Sequence, residues 1–172
     1  MLVEGVSDKI ALETLARRRG RELDADGVVV VAIGGAQAAR RFVEEYAPRG
    51  VKLAGLCDAG EEAEFSRAFG GVADGAFYVC VPDLEGELIR ALGADRVEEV
   101  VAAHGDLGPF RTLQKQPEWR GRPPEEQLRR FMGSGGRRKT RYARFLVEAL
   151  DLDAVPEPLD GVLAHVYGHT SE

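Results

Sequence analysis

Apolar residues in the first half of the chain occur in short runs that end at turn residues. The runs predict four strands, at residues 2–3, 28–33, 51–57 and 77–81. Six apolar residues in a row at 28–33 are typical of a strand that is buried on both faces. Segments with helical spacing follow, at residues 7–19, 36–46, 61–69 and 84–92. This alternation predicts an α/β fold with an open, parallel, four-stranded, Rossmann-like sheet flanked by helices.

The pattern changes from about residue 104 onward. Prolines and glycines up to Pro124 predict a long connection with at most one turn of structure. A short helix at 125–132, a glycine-rich hinge or anion nest at 133–136, an amphipathic helix at 139–150 and a last helix at 159–167 follow. We therefore expect an α/β core at residues 1–105, with a basic loop and C-terminal helical extension at 106–172 packed on it.

The bulk properties describe one ordinary domain. With 172 residues, 44% hydrophobic and 30% charged, the chain is long enough for one well-packed core. It has no apolar run of membrane-spanning length and no signal-peptide pattern, and Cys57 and Cys80 each lie in an apolar run. These features predict a cytoplasmic protein with two reduced thiols and no contact with a membrane. The very short first strand suggests either that the sequence starts inside a longer protein or that its start codon is set late.

Positive charge is concentrated in one segment. The chain carries a net charge of −6, but residues 111–144 hold eleven Lys or Arg against three acids. An acidic body with a basic segment suits a protein that binds metal through carboxylates and phosphate through cations. The alternative is a solvated basic face without a partner.

Acidic residues stand where the predicted strands end. In open parallel sheets, chemistry gathers at the carboxyl ends of the strands. The second strand ends instead at Gly34 and Gly35, which permit close approach of the backbone. We expect one cleft lined by carboxylates, and its candidate members are Glu4, Asp8, Asp58, Glu62, Asp83 and Glu85.

Several carboxylates in one cleft repel each other unless protons or cations neutralise them. Oxygen ligands select Mg²⁺, Mn²⁺ or Ca²⁺ over zinc. His104, His165 and His169 do not have metal-ligand spacing among the strand ends, so capping or surface roles are expected for them.

Three motifs resemble those of the TOPRIM domain of OLD-family nucleases, in the family's order. They are LVEGVSD around Glu4, LAGLCDAGEE around Asp58 and VPDLEGEL around Asp83. The resemblance implies a TOPRIM fold and metal-dependent cleavage of nucleic-acid phosphodiesters, with DNA favoured as substrate. It implies Mg²⁺ or Mn²⁺ as cofactor, with Ca²⁺ able to occupy the site without supporting activity. A lysine that assists cleavage in the family corresponds to Lys139 in SGGRRKTRYA.

There are two departures from the family pattern. Many TOPRIM proteins have Asp-x-Asp, whereas Asp58 is followed by Ala59 and Gly60, so Glu61 or Glu62 would have to reach the same metal. The ATPase domain that usually precedes this module in OLD proteins is not found in the sequence. An ATPase partner acting in trans and a homodimer therefore both remain open.

A mechanism with two metal ions assigns a role to each of these residues. One ion would be held by Glu4 and Asp58 with help from Glu62, and a second by Asp8, Asp83 and Glu85. Two such ions about 4 Å apart would bridge the scissile phosphate. Glu4, Asp58 and Lys139 are the expected catalytic residues. Flanking phosphates would be held by Arg137, Arg138, Arg141 and Arg144. Trp119 would either stack an unpaired base or anchor its loop.

Three other functions fit parts of the sequence. A non-catalytic module that binds nucleic acid or a partner protein is the main alternative. A phosphohydrolase or receiver domain would use Asp58 as a nucleophile, but it needs a lysine on a later strand, and none is predicted. The segment from Gly133 to Thr140 resembles a Walker A motif, yet it has Arg138 where glycine is required and follows a helix rather than a strand.

Overall fold

A four-stranded parallel sheet forms the centre of the computed structural model, which describes residues 1–168. Its strands are β1 (Leu2–Val3), β2 (Val31–Ala32), β3 (Ala54–Asp58) and β4 (Ala76–Cys80). The order across the sheet is β2-β1-β3-β4, with Leu2 beside both Val31 and Gly55. The predicted α/β class is therefore confirmed. His169 lies outside the described residues.

Helices connect and cover the strands. Within residues 1–168 they are α1 (Val6–Arg18), α2 (Ala39–Tyr46), α3 (Glu62–Phe69), α4 (Leu84–Leu92), α5 (Ala94–Ala103), α6 (Leu107–Lys115), α7 (Pro124–Gly133), α8 (Gly136–Ala149) and α9 (Glu157–Tyr167). None of these helices combines the length and the apolar character that crossing a bilayer requires.

The two faces of the sheet bury two separate hydrophobic clusters. Because side chains alternate along a strand, Val3 and Leu56 point to one face, and Leu2 and Cys57 to the other. The first face packs against α1, α4, α8 and α9, and the second against α2 and α3. Cys57 and Cys80 are both buried free thiols, and each belongs to a different cluster.

The C-terminal helices pack directly onto the α/β layers. Helix α8 lies along α1, where the guanidinium of Arg18 donates to the carbonyls of Val147 and Leu150, both at 2.8 Å. The buried side chain of Tyr142 belongs to the same cluster as Val3. Since one cluster joins both halves of the chain, a division at residue 105 stays a prediction.

The structure differs from the sequence-based expectations at three elements. Strand pairing covers Val31–Ala32 only, and Val29 is 62% exposed, because β2 is the edge strand and pairs on one side alone. The long connection contains the nine-residue helix α6, which tolerates Pro109 because the first turn of a helix needs no amide donor. Helix α5, which the sequence analysis leaves unassigned, buries Val97 and Val101.

Close packing of α9 on β4 depends on a glycine. A β-carbon added at Gly161 would overlap the ring of Tyr78. This ring packs against the first-face cluster, which is the hydrophobic cluster that contains Val3 and Leu56. Gly161→Ala is therefore expected to lower the free energy of unfolding by about 1–3 kcal/mol, measured by urea denaturation. Gly108→Ala in α6 is the matched control, because open space surrounds Gly108 and alanine favours a helix. Equal stability of the two variants would contradict this account of the packing.

Candidate metal centre

The connectivity of the sheet creates a cleft between β1 and β3. From β1 the chain moves outward to β2 and then returns across β1 to β3. The loops that leave β1 and β3 therefore diverge to opposite faces, with α1 on one and α3 on the other. Such a switch point opens a crevice at the carboxyl ends of the strands. Glu4 directly follows β1, and Asp58 is the last residue of β3.

The backbone of Glu4 is held by the two glycines that follow β2. The amides of Gly34 and Gly35 both donate to the carbonyl of Glu4, at 3.1 Å each. Both glycines adopt positive φ angles, 76° and 116°, which residues with a side chain rarely adopt. One side-chain oxygen of Glu4, Oε2, is buried and has no hydrogen-bond partner among residues 1–168. Burial, and next the charge of Asp58, raise the pKa of Glu4 above its ordinary value.

Asp8 lies in the first turn of α1 and is only 7% exposed. Its Oδ2 accepts the amide of Gly5 at 2.8 Å, which caps the helix and fixes the carboxylate. Burial is the main cause that raises the pKa of Asp8 from 3.8 to about 7, and the charges of Asp58 and Glu4 act in the same direction. Asp8 is thus a buried carboxylate that faces the acids at the ends of β1 and β3.

The side chain of Asp58, at the end of β3, contacts the start of α4. Its Oδ1 accepts the amide of Leu84 at 3.2 Å, so the carboxylate sits against the helix N-terminus. Burial raises the pKa of Asp58, and the nearby charge of Lys139 opposes that rise. The N-terminus of α4 also favours a negative charge at this point.

Glu85 and Lys139 meet inside the cluster. Glu85 is 5% exposed, and its Oε2 lies 3.5 Å from the ammonium of Lys139 in the first turn of α8. The second oxygen, Oε1, is buried without a partner among the described residues. Burial raises the pKa of Glu85. Burial lowers the pKa of Lys139, but the charges of Glu85, Asp58 and Asp8 outweigh that effect and hold it above its ordinary value.

Asp83 has both carboxylate oxygens engaged. Oδ1 accepts the amide of Gly86 at 2.8 Å and caps α4. Oδ2 accepts from the guanidinium of Arg129 in α7, at 2.7 Å from Nε and 2.5 Å from Nη2. The charge of Asp83 still raises the pKa values of Asp58 and Glu85, although burial is the larger cause for both. No sequence pattern singles out Arg129, because an ion pair between distant segments leaves no local signal.

The turn after β3 places its two glutamates differently. Glu62 is exposed at the start of α3, and its charge acts on the thiol of Cys57. Glu61 closes the preceding 3₁₀ turn, and its charge is among the causes that raise the pKa of Glu4, after burial and Asp58. The acidic motif suggested both residues, and of the two Glu62 is the more exposed.

The donor set fits a hard divalent cation in its chemistry. The candidate ligands are carboxylate oxygens, and two of these oxygens are buried without a partner in the described part of the chain. Yet no three Asp, Glu, His or Cys side chains within residues 1–168 converge as the ligands of one ion. The structure thus places six candidate residues near one another at the carboxyl ends of the strands, but it does not define the position of any ion. They are Glu4, Asp8, Asp58, Asp83, Glu85 and Lys139.

Three of the four arginines predicted to bind phosphates share one face of α8. Arg137, Arg141 and Arg144 follow each other at spacings of four and three residues, and all three are exposed. Arg141 lies 3.8 Å from an oxygen of Asp106, and Arg144 pairs with Glu148 at 2.7 Å. These contacts are at the surface, where ion pairs are weak.

Arg138 has a different environment. Its guanidinium donates to the hydroxyl of Ser134 at 2.7 Å and lies over the ring of Phe131, 4.1 Å from the centroid. It ties the start of α8 to the end of α7. Trp119 is half-buried and packs against the first-face cluster, which favours the anchoring role over base stacking.

Known proteins match the chain at two levels. Residues 1–59 match the family model "Overcoming lysogenization defect protein-like, TOPRIM domain". The C-terminal region of the Xanthomonas campestris pv. campestris OLD protein superposes with a TM-score of 0.67 at 22% identity, covering 96% of this chain and 92% of that one. The C-terminal region of the Burkholderia pseudomallei OLD protein gives 0.65 at 16% identity, covering 96% and 94%. No curated protein matches. At these identities the structures show a common fold, and the resemblance drawn from the motifs is confirmed.

Burial of Asp8 predicts a pH-dependent stability. The folded state binds this proton more tightly than the unfolded state, whose pKa is near 3.8. The metal-free domain should therefore lose stability as the pH rises from about 4 to 7. Asp8→Asn keeps an acceptor for the Gly5 amide and should raise the free energy of unfolding at pH 8 by about 1–3 kcal/mol, with no gain at pH 4.

The measurement is urea denaturation at both pH values in a metal chelator. Glu13→Gln is the control, because Glu13 is a partly exposed acid of the same helix. An equal effect of Asp8→Asn at both pH values would contradict a buried, unfavourable charge.

Proposed function

We propose that this chain, whose first 59 residues match the OLD-like TOPRIM domain and whose fold is that of OLD C-terminal regions, is a divalent-metal-dependent nuclease. It would cleave nucleic-acid phosphodiesters, and DNA is the favoured substrate. The observation that carries the proposal is the cluster of Glu4, Asp8, Asp58 and Glu85. These acids come from the ends of β1 and β3 and the starts of α1 and α4, and their charges act on one another.

Such a cluster is costly for the metal-free fold. Buried like charges destabilise one another, and evolution tolerates such a cost most readily at functional sites. Glu4 and Glu85 each have a buried oxygen without a partner up to residue 168, and such oxygens have the chemistry of ligands for Mg²⁺ or Mn²⁺. Ca²⁺ would bind the same oxygens without supporting cleavage.

Each acid has a role in this proposal. Glu4 and Asp58 would hold one ion with help from the turn glutamates, Glu61 or Glu62, while Asp8 and Glu85 would hold the other. Asp83 would join the second set only by leaving Arg129, and otherwise acts by capping α4. Metal bound here would supply an activated water and neutralise the leaving oxygen.

The cations of α8 would bind the substrate. The ammonium of Lys139 would donate to a phosphate oxygen and offset the charge that develops during cleavage. Arg137, Arg141 and Arg144 would hold flanking phosphates from one face of the helix. Those contacts carry no sequence information, so binding should be independent of sequence.

A non-catalytic nucleic-acid-binding module is the second candidate. Its support is Gly60, which stands where many TOPRIM proteins have a second aspartate, and the imperfect convergence of the acids. Such a module would bind nucleic acid and cut nothing in any divalent metal.

Asp58→Asn separates the two candidates. The amide keeps an acceptor for the Leu84 amide but removes the charge, so the fold should persist. We expect nicking of supercoiled plasmid in Mn²⁺ or Mg²⁺ to fall by on the order of 10²-fold or more. Glu87→Gln is the matched control, since Glu87 is a buried acid of α4 whose oxygens bind the Val81 amide and Arg90.

Control activity should stay within about twofold of the wild type, because the oxygens of Glu87 contact the Val81 amide and Arg90 and none of the candidate ligands. Undiminished cutting by Asp58→Asn would remove the nuclease mechanism. If the wild type does not nick plasmid in Mn²⁺ but binds DNA, the second candidate is correct.

Phosphate binding by α8 predicts a salt effect. Arg137→Ala and Arg144→Ala should each weaken binding to duplex DNA and reduce the slope of log affinity against log salt by about one. Fluorescence anisotropy in Ca²⁺ measures both. Arg67→Ala on α3 is the control on the opposite face of the sheet. An unchanged slope in the α8 variants would place the phosphate contacts elsewhere.

A further inference from the structure

Lys139 is the cation that meets the innermost carboxylates. Its Nζ lies 3.5 Å from Glu85 Oε2, and the charges of Asp58 and Asp8 also act on it. The side chain is 36% exposed, so the ammonium lies between the buried acids and solvent. Its helix is held in place by the packing of α8 on α1 and α4.

The other nearby cation is committed elsewhere. Arg129 makes two short contacts to Asp83 Oδ2 and acts on Glu85 and Asp58 only through its longer-range charge. Lys139, in contrast, lowers the pKa values of Glu4, Asp8, Asp58 and Glu85 against the larger effect of burial. Its ammonium therefore offsets the negative charge of the same carboxylates that would bind a metal.

The carboxylate of Glu85 shows the same arrangement at the atomic level. One oxygen is directed at Lys139, and the other is buried without a partner within residues 1–168. Glu85 is thus paired with an ammonium, while no three acids of residues 1–168 are placed as the ligands of one metal ion.

We propose that Lys139 is an internal counter-ion that competes with a divalent metal for Glu85, so that metal binding releases its ammonium toward the phosphate. The inference rests on the proposed function in one respect, namely that this cluster binds a divalent metal. It adds a prediction of opposite sign to that for a lysine that only orients the ligands. Removing an orienting group weakens metal binding, whereas removing a competing charge strengthens it.

The test is direct binding of Mn²⁺ to the full chain in the absence of nucleic acid, by titration calorimetry. Lys139→Met replaces the ammonium with an apolar side chain of similar length. We expect its tightest Mn²⁺ site to be at least about tenfold tighter than in the wild type, because two cations a few ångströms apart repel strongly. Arg137→Met changes the net charge equally and lies on the same helix, and it should alter the affinity by less than about twofold.

A second variant identifies the ligand through which Lys139 acts. In the background Glu85→Gln, the gain from Lys139→Met should largely disappear, as a double-mutant cycle would measure. If Lys139→Met does not fold, Lys139→Gln allows the same comparison with a polar side chain. Circular dichroism in the metal-free state checks the fold of each variant.

Each result has one meaning. An affinity of Lys139→Met that is unchanged, weaker or matched by Arg137→Met overturns the counter-ion role while leaving metal binding intact. A gain that persists in full with Glu85→Gln also overturns it, because competition for Glu85 is then absent. Failure of the wild type to bind Mn²⁺ would overturn the proposed function together with the inference.

Discussion

The structure depends on the burial of several carboxylates at one edge of a parallel sheet, where their mutual repulsion must be balanced. Asp8 and Glu85 are almost fully buried, and Glu4 and Asp58 lie beside them at the ends of β1 and β3. Removing a carboxylate from water disfavours its charge, and neighbouring charges of the same sign disfavour it further. The fold compensates with backbone amides, helix N-termini and the ammonium of Lys139. In the proposed function, a divalent cation would complete this balance.

The rest of the fold positions these acids and the groups that offset their charge. Parallel order with a reversal between β1 and β3 separates α1 from α3 and opens the cleft. Gly34 and Gly35 at the edge strand bind the backbone of Glu4, and the N-terminus of α4 receives Asp58. The C-terminal extension contributes to the candidate site, because α7 provides Arg129 and α8 provides Lys139. Packing of α8 on α1 thus links the far end of the chain to the first acids.

Helix α8 has two sides that present different cations. Its inner side presents Lys139 to the carboxylates, while its outer side presents Arg137, Arg141 and Arg144 at helical spacing. Arg137 and Arg141 are each two residues from Lys139, whereas Arg144 is five residues away, more than one turn. In the proposed function, this helix would align a bound phosphate backbone with the acidic cleft. Arg138 between them stabilises the entry of the helix by its contacts to Ser134 and Phe131. An acidic protein can bind nucleic acid in this way, because only the local charge at the contact surface matters.

Hydrophobic periodicity and residue type are local properties, so the α/β class, the strands that end in acid and the motifs that resemble a TOPRIM domain could all be predicted from the sequence. The predictions for the length of β2 and for α6 were wrong, since edge position and a tolerated proline depend on neighbours in space. Which acids lie near one another, and the pairing of Asp83 with Arg129, emerge only in the folded chain. The pairing of Lys139 with Glu85 joins residues 54 positions apart. Such contacts arise from the packing of whole helices, and no window of sequence contains them.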